Sequence, residues 1–155
     1  MKQLYLLTAY VTDVSDEDEI HLCCYSFVDV CGYLQCTSQP YKKKYLHQIV
    51  AERMGIVLKP GEEIDHIDGN PRNNQRNNLR AATRSQNLMN KRKQSNNKTG
   101  HPGVFPSKTV IGGHFARIKI NGTIIYLGCG TYEYCVKLYI EAAKHYFGEF
   151  YRENP

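Results

Sequence analysis

The chain has 155 residues, of which 41% are hydrophobic and 23% are charged, as in a globular protein of one or two small domains. A long multidomain enzyme is excluded. No apolar run reaches the roughly 18 residues of a membrane span, and the start of the chain lacks a charged-then-apolar secretion signal. We therefore expect a cytoplasmic protein that is not secreted and has no membrane partner. Six cysteines without paired C-x-x-C spacing predict reduced and mostly buried thiols, not disulfides or a zinc site.

Charge is distributed unevenly along the chain. Residues 1–38 contain one basic residue and six acidic residues, a net charge of −5. From residue 69 to residue 132 there is no Asp or Glu, and eleven Lys and Arg residues give a net charge of +11. Such a long acid-free basic stretch favours a polyanionic partner, most commonly nucleic acid, over an ordinary solvated face.

The first section of the chain, residues 1–45, contains short β-type runs: QLYLLTAYV, HLCCYSFVDV and GYLQCTS. An acidic stretch at residues 15–19 separates the first two and predicts a loop. The section as a whole predicts a small antiparallel sheet without catalytic residues. A helix is expected next, from Tyr45 to about Met54, because apolar residues recur there at helical spacing.

The second section is rich in asparagine. Nine asparagines lie between residues 68 and 97, and so many short polar side chains cannot form an apolar core. They favour a loop whose backbone is held by side-chain hydrogen bonds. Thr83 or Ser85 is placed to cap a short helix after the loop, with basic residues in its last turn. Residues from about 94 to 100 have the composition of a linker.

The third section, from about residue 100, predicts three strands and one helix. Asn121 and Gly122 are a strong signal for a two-residue hairpin turn, which makes Ile120 and Thr123 opposite partners and assigns both faces. One face is expected to pack on the helix: Ala116, Ile118, Ile120, Ile125 and Leu127. The other face carries Phe115, Arg117, Lys119, Ile124 and Tyr126. The helix, predicted over residues 132–147, has a packing stripe of Cys135, Val136, Tyr139, Ala143 and Tyr146.

Candidate chemistry is concentrated in the segment IDHIDGN, where Asp65 stands next to His66. Adjacent side chains of a strand point to opposite faces, so both can reach one site only where the strand ends. Taken alone, the pair is weak evidence, and a packed or surface histidine is the simpler interpretation. The surrounding asparagines and arginines, and the short helix that carries Asn87, favour an active site.

These residues resemble a known family. His66, Asn78 twelve positions later and Asn87 nine further on are similar to the HNH nucleases, the ββα-metal endonucleases, in the variant that ends in Asn. LHQIVAERMG followed by DHIDGNPRNNQRNNLRAATRSQN resembles the phage and intron-encoded homing-type members, over about residues 45–90. GGHFARIKINGTIIYLGCGTYE in the third section resembles the ethylene-response-factor-like DNA-binding domain, a three-stranded sheet packed on a helix.

The resemblance implies a role for each motif residue. His66 would be the general base, Asn78 would hold the loop that orients it, and Asp65 and Asn87 would bind one divalent ion. An all-oxygen shell favours Mg²⁺ or Mn²⁺ over Zn²⁺. Hydrolysis would leave a 5′-phosphate and a 3′-hydroxyl. Two residues are candidates for supporting the site from outside it: His47 and Asn90. Other candidates for loop or metal roles are Asp68, Asn70, Asn74 and Asn77.

The predicted protein is a site-specific DNA endonuclease of homing type from a phage or other mobile element, nicking double-stranded DNA in a bacterial or phage-infected cell. Whether it acts as a monomer or a homodimer stays open. The predicted fold class is α+β, with an N-terminal β section (1–45), an HNH ββα-metal core (46–95) and a DNA-binding domain (96–155). DNA contacts are expected from basic and aromatic residues: Arg72, Arg76, Arg80, Arg84, Lys91, Arg92, Lys93, Arg117, Lys119 and Tyr126.

Two other functions are consistent with the charge. A DNA-binding regulator would keep the HNH section as a non-catalytic scaffold and would tolerate the loss of Asp65, His66 or Asn87. A structural RNA-binding protein would prefer structured RNA to duplex DNA in competition.

Overall fold

A computed structural model describes residues 2–5, 11–90, 100–108 and 112–152. The chain divides into two compact units, Met1–Asn87 and Leu88–Pro155. The predicted α+β class is confirmed, with small sheets that include a three-stranded antiparallel sheet packed on the last helix. Most of the expected linker lies outside the described residues. In the described ranges, no helix is long and apolar enough to cross a membrane.

The first unit is built from short strands and helices around one core. In chain order they are β1 (Lys2–Tyr5), β2 (Val11–Val14), α1 (Asp16–Leu22), β3 (Phe27–Val30), β4 (Tyr33–Cys36), α2 (Leu46–Arg53), β5 (Glu62–His66), β6 (Asn73–Asn74) and β7 (Leu79–Thr83). β1 and β2 are antiparallel, and β6 joins β2 in parallel. Two further antiparallel pairs are β3 with β4 and β5 with β7. The helix α3 (Arg84–Met89) follows β7 directly.

The acidic stretch is a helix, and the predicted loop was wrong. Four acidic residues occupy the first turn of α1, where the positive end of the helix dipole favours negative charge. Leu22, in its last turn, is fully buried in the core and anchors the helix. The β-type appearance of the following residues was also misleading, because β3 begins only at Phe27.

The helix predicted after residue 45 is confirmed as α2. At its start the backbone N–H of Tyr45 donates to Gln48 Oε1 at 3.0 Å. Its apolar side, with Leu46, Ile49 and Val50 each at most 1% exposed, packs into the core of the first unit. Residues from β5 and β7 belong to the same core, so α2 supports the strand pair that carries the candidate site.

Asp18 and Asp29 of the N-terminal section are counter-charges for arginines. The Asp18 side chain is 0% exposed and accepts hydrogen bonds from Nε of both Arg53 and Arg76, each at 2.7 Å. Asp29 forms an ion pair with Arg72. Burial alone would raise the pKa of Asp18, but the two guanidinium groups outweigh it and lower that pKa. The N-terminal section therefore neutralises charges that the asparagine-rich section carries.

The second unit matches the predicted sheet and helix. It contains β8 (Val104–Pro106), β9 (His114–Ile120), β10 (Thr123–Gly130) and α4 (Tyr132–Phe147), and the strand order is β10-β9-β8. Ile120 pairs with Thr123, as the hairpin signal predicted. Asn121 and Gly122 have φ angles of 48° and 86°, the left-handed conformation that such a turn needs at both positions.

The predicted faces of this sheet are confirmed, with one exception in the helix. Ala116 and Ile118 are buried against α4, and the predicted partners Ile120, Ile125 and Leu127 pack beside them. Tyr146 was wrongly assigned to the helix stripe, because its side chain is 47% exposed. Phe147 takes that place, since it lies four residues after the buried Ala143 and thus on the same helix face.

The cysteines are free thiols, as predicted, but the prediction of burial was mostly wrong. Only Cys36 and Cys135 are buried. The exposed ones lie in turns or near the ends of elements: Cys23, Cys24, Cys31 and Cys129.

Candidate functional site

Asp65 and His66 close the strand β5. Asp65 lies opposite Arg80 of β7, and His66 lies opposite Leu79. Consecutive side chains diverge within a strand, but His66 is the last residue of β5, and the Asp65 carboxylate is near enough to act on the pKa of His66. Both are buried, at 4% and 6% exposure. His66 is the residue at which the strand passes into the asparagine-rich loop of residues 67–78.

Asn78 holds the two ends of that loop together. Its Oδ1 accepts the backbone N–H of Asp68 at 3.0 Å, and its Nδ2 donates to Asp68 Oδ1 at 3.0 Å and to the Asn73 carbonyl at 2.7 Å. Burial opposes ionisation of Asp68, but hydrogen bonds from Asn70, Asn73 and Asn78 outweigh it and lower its pKa. The loop after His66 is thus kept in one conformation by polar side chains rather than by apolar packing.

The ring of His66 is in contact with Asn74 and with other rings. Its Nε2 lies 3.2 Å from Asn74 Oδ1, and the His47 ring meets it edge-on with 5.2 Å between centroids. The centroid of the Tyr33 ring lies 6.2 Å from that of the His66 ring. Burial lowers the pKa of His66, against the opposing effects of Asn74 and the Asp68 and Asp65 carboxylates. A lowered pKa favours the neutral imidazole near pH 7, which is the form that can accept a proton.

His47, one of the two residues expected to support the site, lies beside His66. Its ring also stacks on Tyr45, with centroids 5.7 Å apart and an interplanar angle of 8°. Burial, with a smaller contribution from His66, lowers the pKa of His47 to about 4. Two neighbouring imidazoles are thereby both kept uncharged. Asn90, the other candidate, is buried and belongs to the second unit.

One face of the β5–β7 pair carries side-chain oxygens. Glu63 and Asp65 alternate along β5 and so share this face. Arg80 Nε donates to Asp65 Oδ2 at 3.0 Å. Asn87 of α3 donates its Nδ2 to Glu63 Oε1 at 2.7 Å, a bond that directs its amide nitrogen toward Glu63. The amide oxygen of Asn87 is the atom of this side chain that has the chemistry to bind a metal ion.

These donors suit a hard divalent cation, because such ions prefer carboxylate and amide oxygens. Within the described ranges, no group of three or more His, Cys, Asp or Glu side chains is arranged to bind a metal. The predicted pair is of a different kind, one carboxylate from Asp65 and one amide from Asn87. Its chemistry fits Mg²⁺ or Mn²⁺ better than Zn²⁺.

The arginines expected to bind DNA fall into two groups. Arg72, Arg76 and Arg80 form ion pairs within the protein, with Asp29, Asp18 and Asp65 respectively. Arg84, the first residue of α3, is exposed. The remaining predicted contacts of this region lie outside the described residues: Lys91, Arg92 and Lys93.

The face of the second-unit sheet that points away from α4 is aromatic and basic. Phe105 and Phe115 stack with 5.5 Å between centroids, and Tyr126 continues the stack at 6.4 Å from Phe115. The Arg117 guanidinium lies over Phe105, 4.5 Å from the ring centroid. Arg117, Lys119 and Tyr126 are exposed. A flat stack of rings with cationic side chains can stack on bases and contact phosphates.

Comparison with known families identifies the section that carries His66. Residues 44–89 match the family model of an HNH endonuclease. The HNH domain comprises α2, the β5–β7 pair, the asparagine-rich loop and α3. A domain of this family indicates a nuclease, a hydrolase that acts on DNA phosphodiester bonds and usually uses a divalent metal ion. No curated protein and no solved structure matches the chain.

Sequence reasoning missed three side chains around the HNH motif or ranked them low. Asn74, which contacts His66, was only one of several loop candidates. Glu63 was not named, although its alternation with Asp65 along a strand is a readable signal. Thr12, which bonds to Asn74 at 2.9 Å, has no sequence signal because 62 residues separate the two positions.

Proposed function

We propose that the protein is a site-specific, metal-dependent DNA endonuclease of homing type that makes one nick per monomer. The observation that carries this proposal is the position of His66 at the end of β5, in contact with Asn74 and within the residues that match the HNH family. The side-chain oxygens of Asp65 and Asn87 and the basic aromatic sheet of the second unit support it. The homing type comes from the sequence resemblance of residues 45–90.

In the proposed reaction His66 acts on the attacking water. It accepts a proton as the water oxygen forms a bond to phosphorus and the bond from phosphorus to the 3′-oxygen breaks. The leaving 3′-oxygen takes a proton from solvent, which gives a 3′-hydroxyl and a 5′-phosphate. Asn78 keeps the loop after His66 in place during this step. His47, uncharged beside it, limits movement of the ring without repelling the imidazolium that forms.

Asp65 and Asn87 would hold the divalent ion, Mg²⁺ or Mn²⁺. When bound, the ion supplies charge stabilisation for the phosphate and the leaving oxygen in the transition state. The bond between Asn87 and Glu63 keeps the Asn87 amide oriented for this role. Arg80 would remain ion-paired with the Asp65 carboxylate while that carboxylate also binds the metal ion, and would neutralise part of its negative charge.

DNA binding is proposed for the second-unit sheet together with exposed basic residues of the HNH domain. Arg117 and Lys119 would contact phosphates or base edges, and Tyr126 would contact bases. Arg84 would add a phosphate contact, and Lys91, Arg92 and Lys93 remain proposed contacts. For Arg72, Arg76 and Arg80 the proposed contact would have to coexist with their internal ion pairs. Binding should weaken steeply with rising salt.

The test of catalysis is conversion of supercoiled plasmid to open circle with Mg²⁺, with Mn²⁺ and with chelator. The plasmid should carry DNA from the neighbourhood of the gene. We expect metal-dependent nicking that falls by about 10²–10⁴-fold in His66→Ala, the usual contribution of a general base. His145→Ala, which removes an exposed imidazole from α4, is the matched control and should nick like wild type. Equal nicking by both variants would refute the role of His66.

The rival function, a DNA-binding regulator with a non-catalytic HNH scaffold, is favoured by one contact. The ion pair between Arg80 and Asp65 engages the carboxylate that would bind the metal. A regulator would bind its DNA site tightly but would not nick the DNA with Mg²⁺ or with Mn²⁺. The endonuclease would bind the DNA and also nick it. Lys119→Ala tests the sheet in either case, with Lys137→Ala on the exposed side of α4 as its control. Only the first should weaken binding.

A further inference from the structure

A chain of hydrogen bonds connects the N-terminal section to the ring of His66. The Thr12 hydroxyl, on β2, donates to the Arg72 carbonyl at 2.7 Å. The Asn74 side-chain Nδ2 donates to Thr12 Oγ1 at 2.9 Å and to the Pro71 carbonyl at 3.2 Å. Asn74 Oδ1 then faces His66 Nε2 at 3.2 Å. Thr12 and Asn74 are each 1% exposed, so water does not compete for these bonds.

The donors and acceptors of this chain allow only one orientation of the Asn74 amide. The Pro71 carbonyl can only accept, so the Asn74 atom that faces it must be the NH₂ group. The Thr12 hydroxyl has one proton, which goes to the Arg72 carbonyl, and Thr12 therefore also accepts from that NH₂ group. The atom left to face His66 is the carbonyl oxygen of Asn74.

An acceptor opposite Nε2 determines which nitrogen of the neutral ring carries the proton. Nε2 must donate to Asn74, and the lone pair of a neutral imidazole is then on Nδ1. The other tautomer would place two lone pairs against each other in a buried contact, which is costly.

We propose that Asn74 and Thr12 are positioning residues that fix His66 as the Nε2–H tautomer, with Nδ1 as the atom that accepts the proton from water. The catalytic part of this inference rests on the function proposed above, while the tautomer itself does not. Thr12 lies outside the matched residues 44–89. The site thus includes a residue of the N-terminal section, brought there by the parallel pairing of β2 with β6.

The direct experiment is NMR of the full-length protein labelled with ¹⁵N at histidine, without DNA or metal. Two-bond and three-bond couplings to the ring carbon protons distinguish Nδ1 from Nε2, and the His66→Gln spectrum assigns the signal. We expect a protonated Nε2 and an unprotonated Nδ1 in the wild type. A protonated Nδ1 would overturn the proposal, whether or not the enzyme nicks DNA.

Variants separate positioning from a merely structural effect. Asn74→Leu removes the acceptor and should mix the tautomers and lower nicking about 10–100-fold, as for other residues that orient a functional histidine. Thr12→Val keeps the shape but loses one hydrogen bond, so nicking should fall about threefold to tenfold, and Thr12→Ser should restore it. Thr37→Val removes an exposed hydroxyl bonded to the Ser26 carbonyl and should change neither readout.

The NMR signal of His66 and the nicking assay distinguish a failure of the positioning proposal from a failure of the proposed function. An Nε2–H ring in a protein that nicks no DNA contradicts the proposed function but supports the positioning. Nicking in which Thr12→Val and Asn74→Leu match wild type, with an unchanged ring signal, would overturn the positioning and leave the nuclease standing. Backbone amide spectra of each variant confirm folding, and the wild-type measurement decides the tautomer even where a variant fails to fold.

Discussion

The two units of the molecule bury different kinds of side chain. In the first unit the interior contains charged and polar groups such as Asp18, Asp65, His66 and Asn74 beside the apolar core. In the second, the described sheet and helix bury Ala116, Ile118 and other apolar residues, and the buried polar residue Asn90 precedes them. Polar groups removed from water need partners at defined distances, whereas apolar groups need only to be covered. The first unit is thus the one whose stability and chemistry depend on individual bonds.

The largest expected effect tests the apolar side of this comparison. Ile118→Ala should destabilise the second unit by about 4 kcal/mol, because the side chain is 1% exposed and its removal leaves a cavity. Ile124→Ala, one strand away on the other face, removes a side chain that is 56% exposed and should cost less than about 0.5 kcal/mol. Urea unfolding, monitored by amide hydrogen exchange, measures the change in the free energy of unfolding for both variants. Similar losses for both variants would contradict the assigned faces.

The next effect tests the polar side. Asp18→Asn should destabilise the first unit by about 3 kcal/mol, because it leaves Arg53 and Arg76 without the buried carboxylate that both contact. Asp16→Asn, an exposed residue of the same helix turn, should change stability by less than about 0.5 kcal/mol. The same unfolding measurement applies. If the two variants were equally stable, the ion pairs of Asp18 would be dispensable and the comparison would fail.

Acid should weaken the first unit through the same residue. The pKa of Asp18 is lowered in the folded protein from its ordinary 3.8, because the guanidinium groups of Arg53 and Arg76 outweigh the effect of burial. Its contribution is therefore present above pH 3.8 and is lost as the pH falls through the lower folded pKa. The stability difference between wild type and Asp18→Asn should narrow as the pH is lowered from about 5 toward 3. A difference that stays constant over that range would show that the charge of Asp18 is not what stabilises the unit.

The smallest effect concerns one helix end of the second unit. Thr131 Oγ1 accepts the backbone N–H of Tyr134 at 3.3 Å and caps α4. Thr131→Ala should cost about 1 kcal/mol. Thr131→Ser keeps the cap and should cost less than half of that. Thermal unfolding of the two variants measures the difference, and identical midpoints would show that the cap contributes nothing.

The apolar second unit could be predicted from the sequence more fully than the polar contacts of the first unit. The hairpin at Asn121 and Gly122 and the helix Tyr132–Phe147 were predictable because each depends on neighbours along the chain. The helix α1 was missed because its acidic residues are typical of an exposed loop. Asp18 is instead buried against two arginines that lie 35 and 58 residues away in the sequence. The spacing of His66, Asn78 and Asn87 predicted the segment that matches the HNH family, whereas the contact between Asn74 and Thr12 could not be predicted.

The sequence by itself determined the α+β class, the HNH motif and the faces of the second-unit sheet. These depend on local periodicity and on spacing, which are properties of neighbouring residues. Only the tertiary structure decided that Asp18 neutralises Arg76, and that Asn74 donates its Nδ2 to Thr12 while its Oδ1 faces His66. The physical reason is that a buried polar group must find its partner wherever the chain brings one, and no local pattern records that choice.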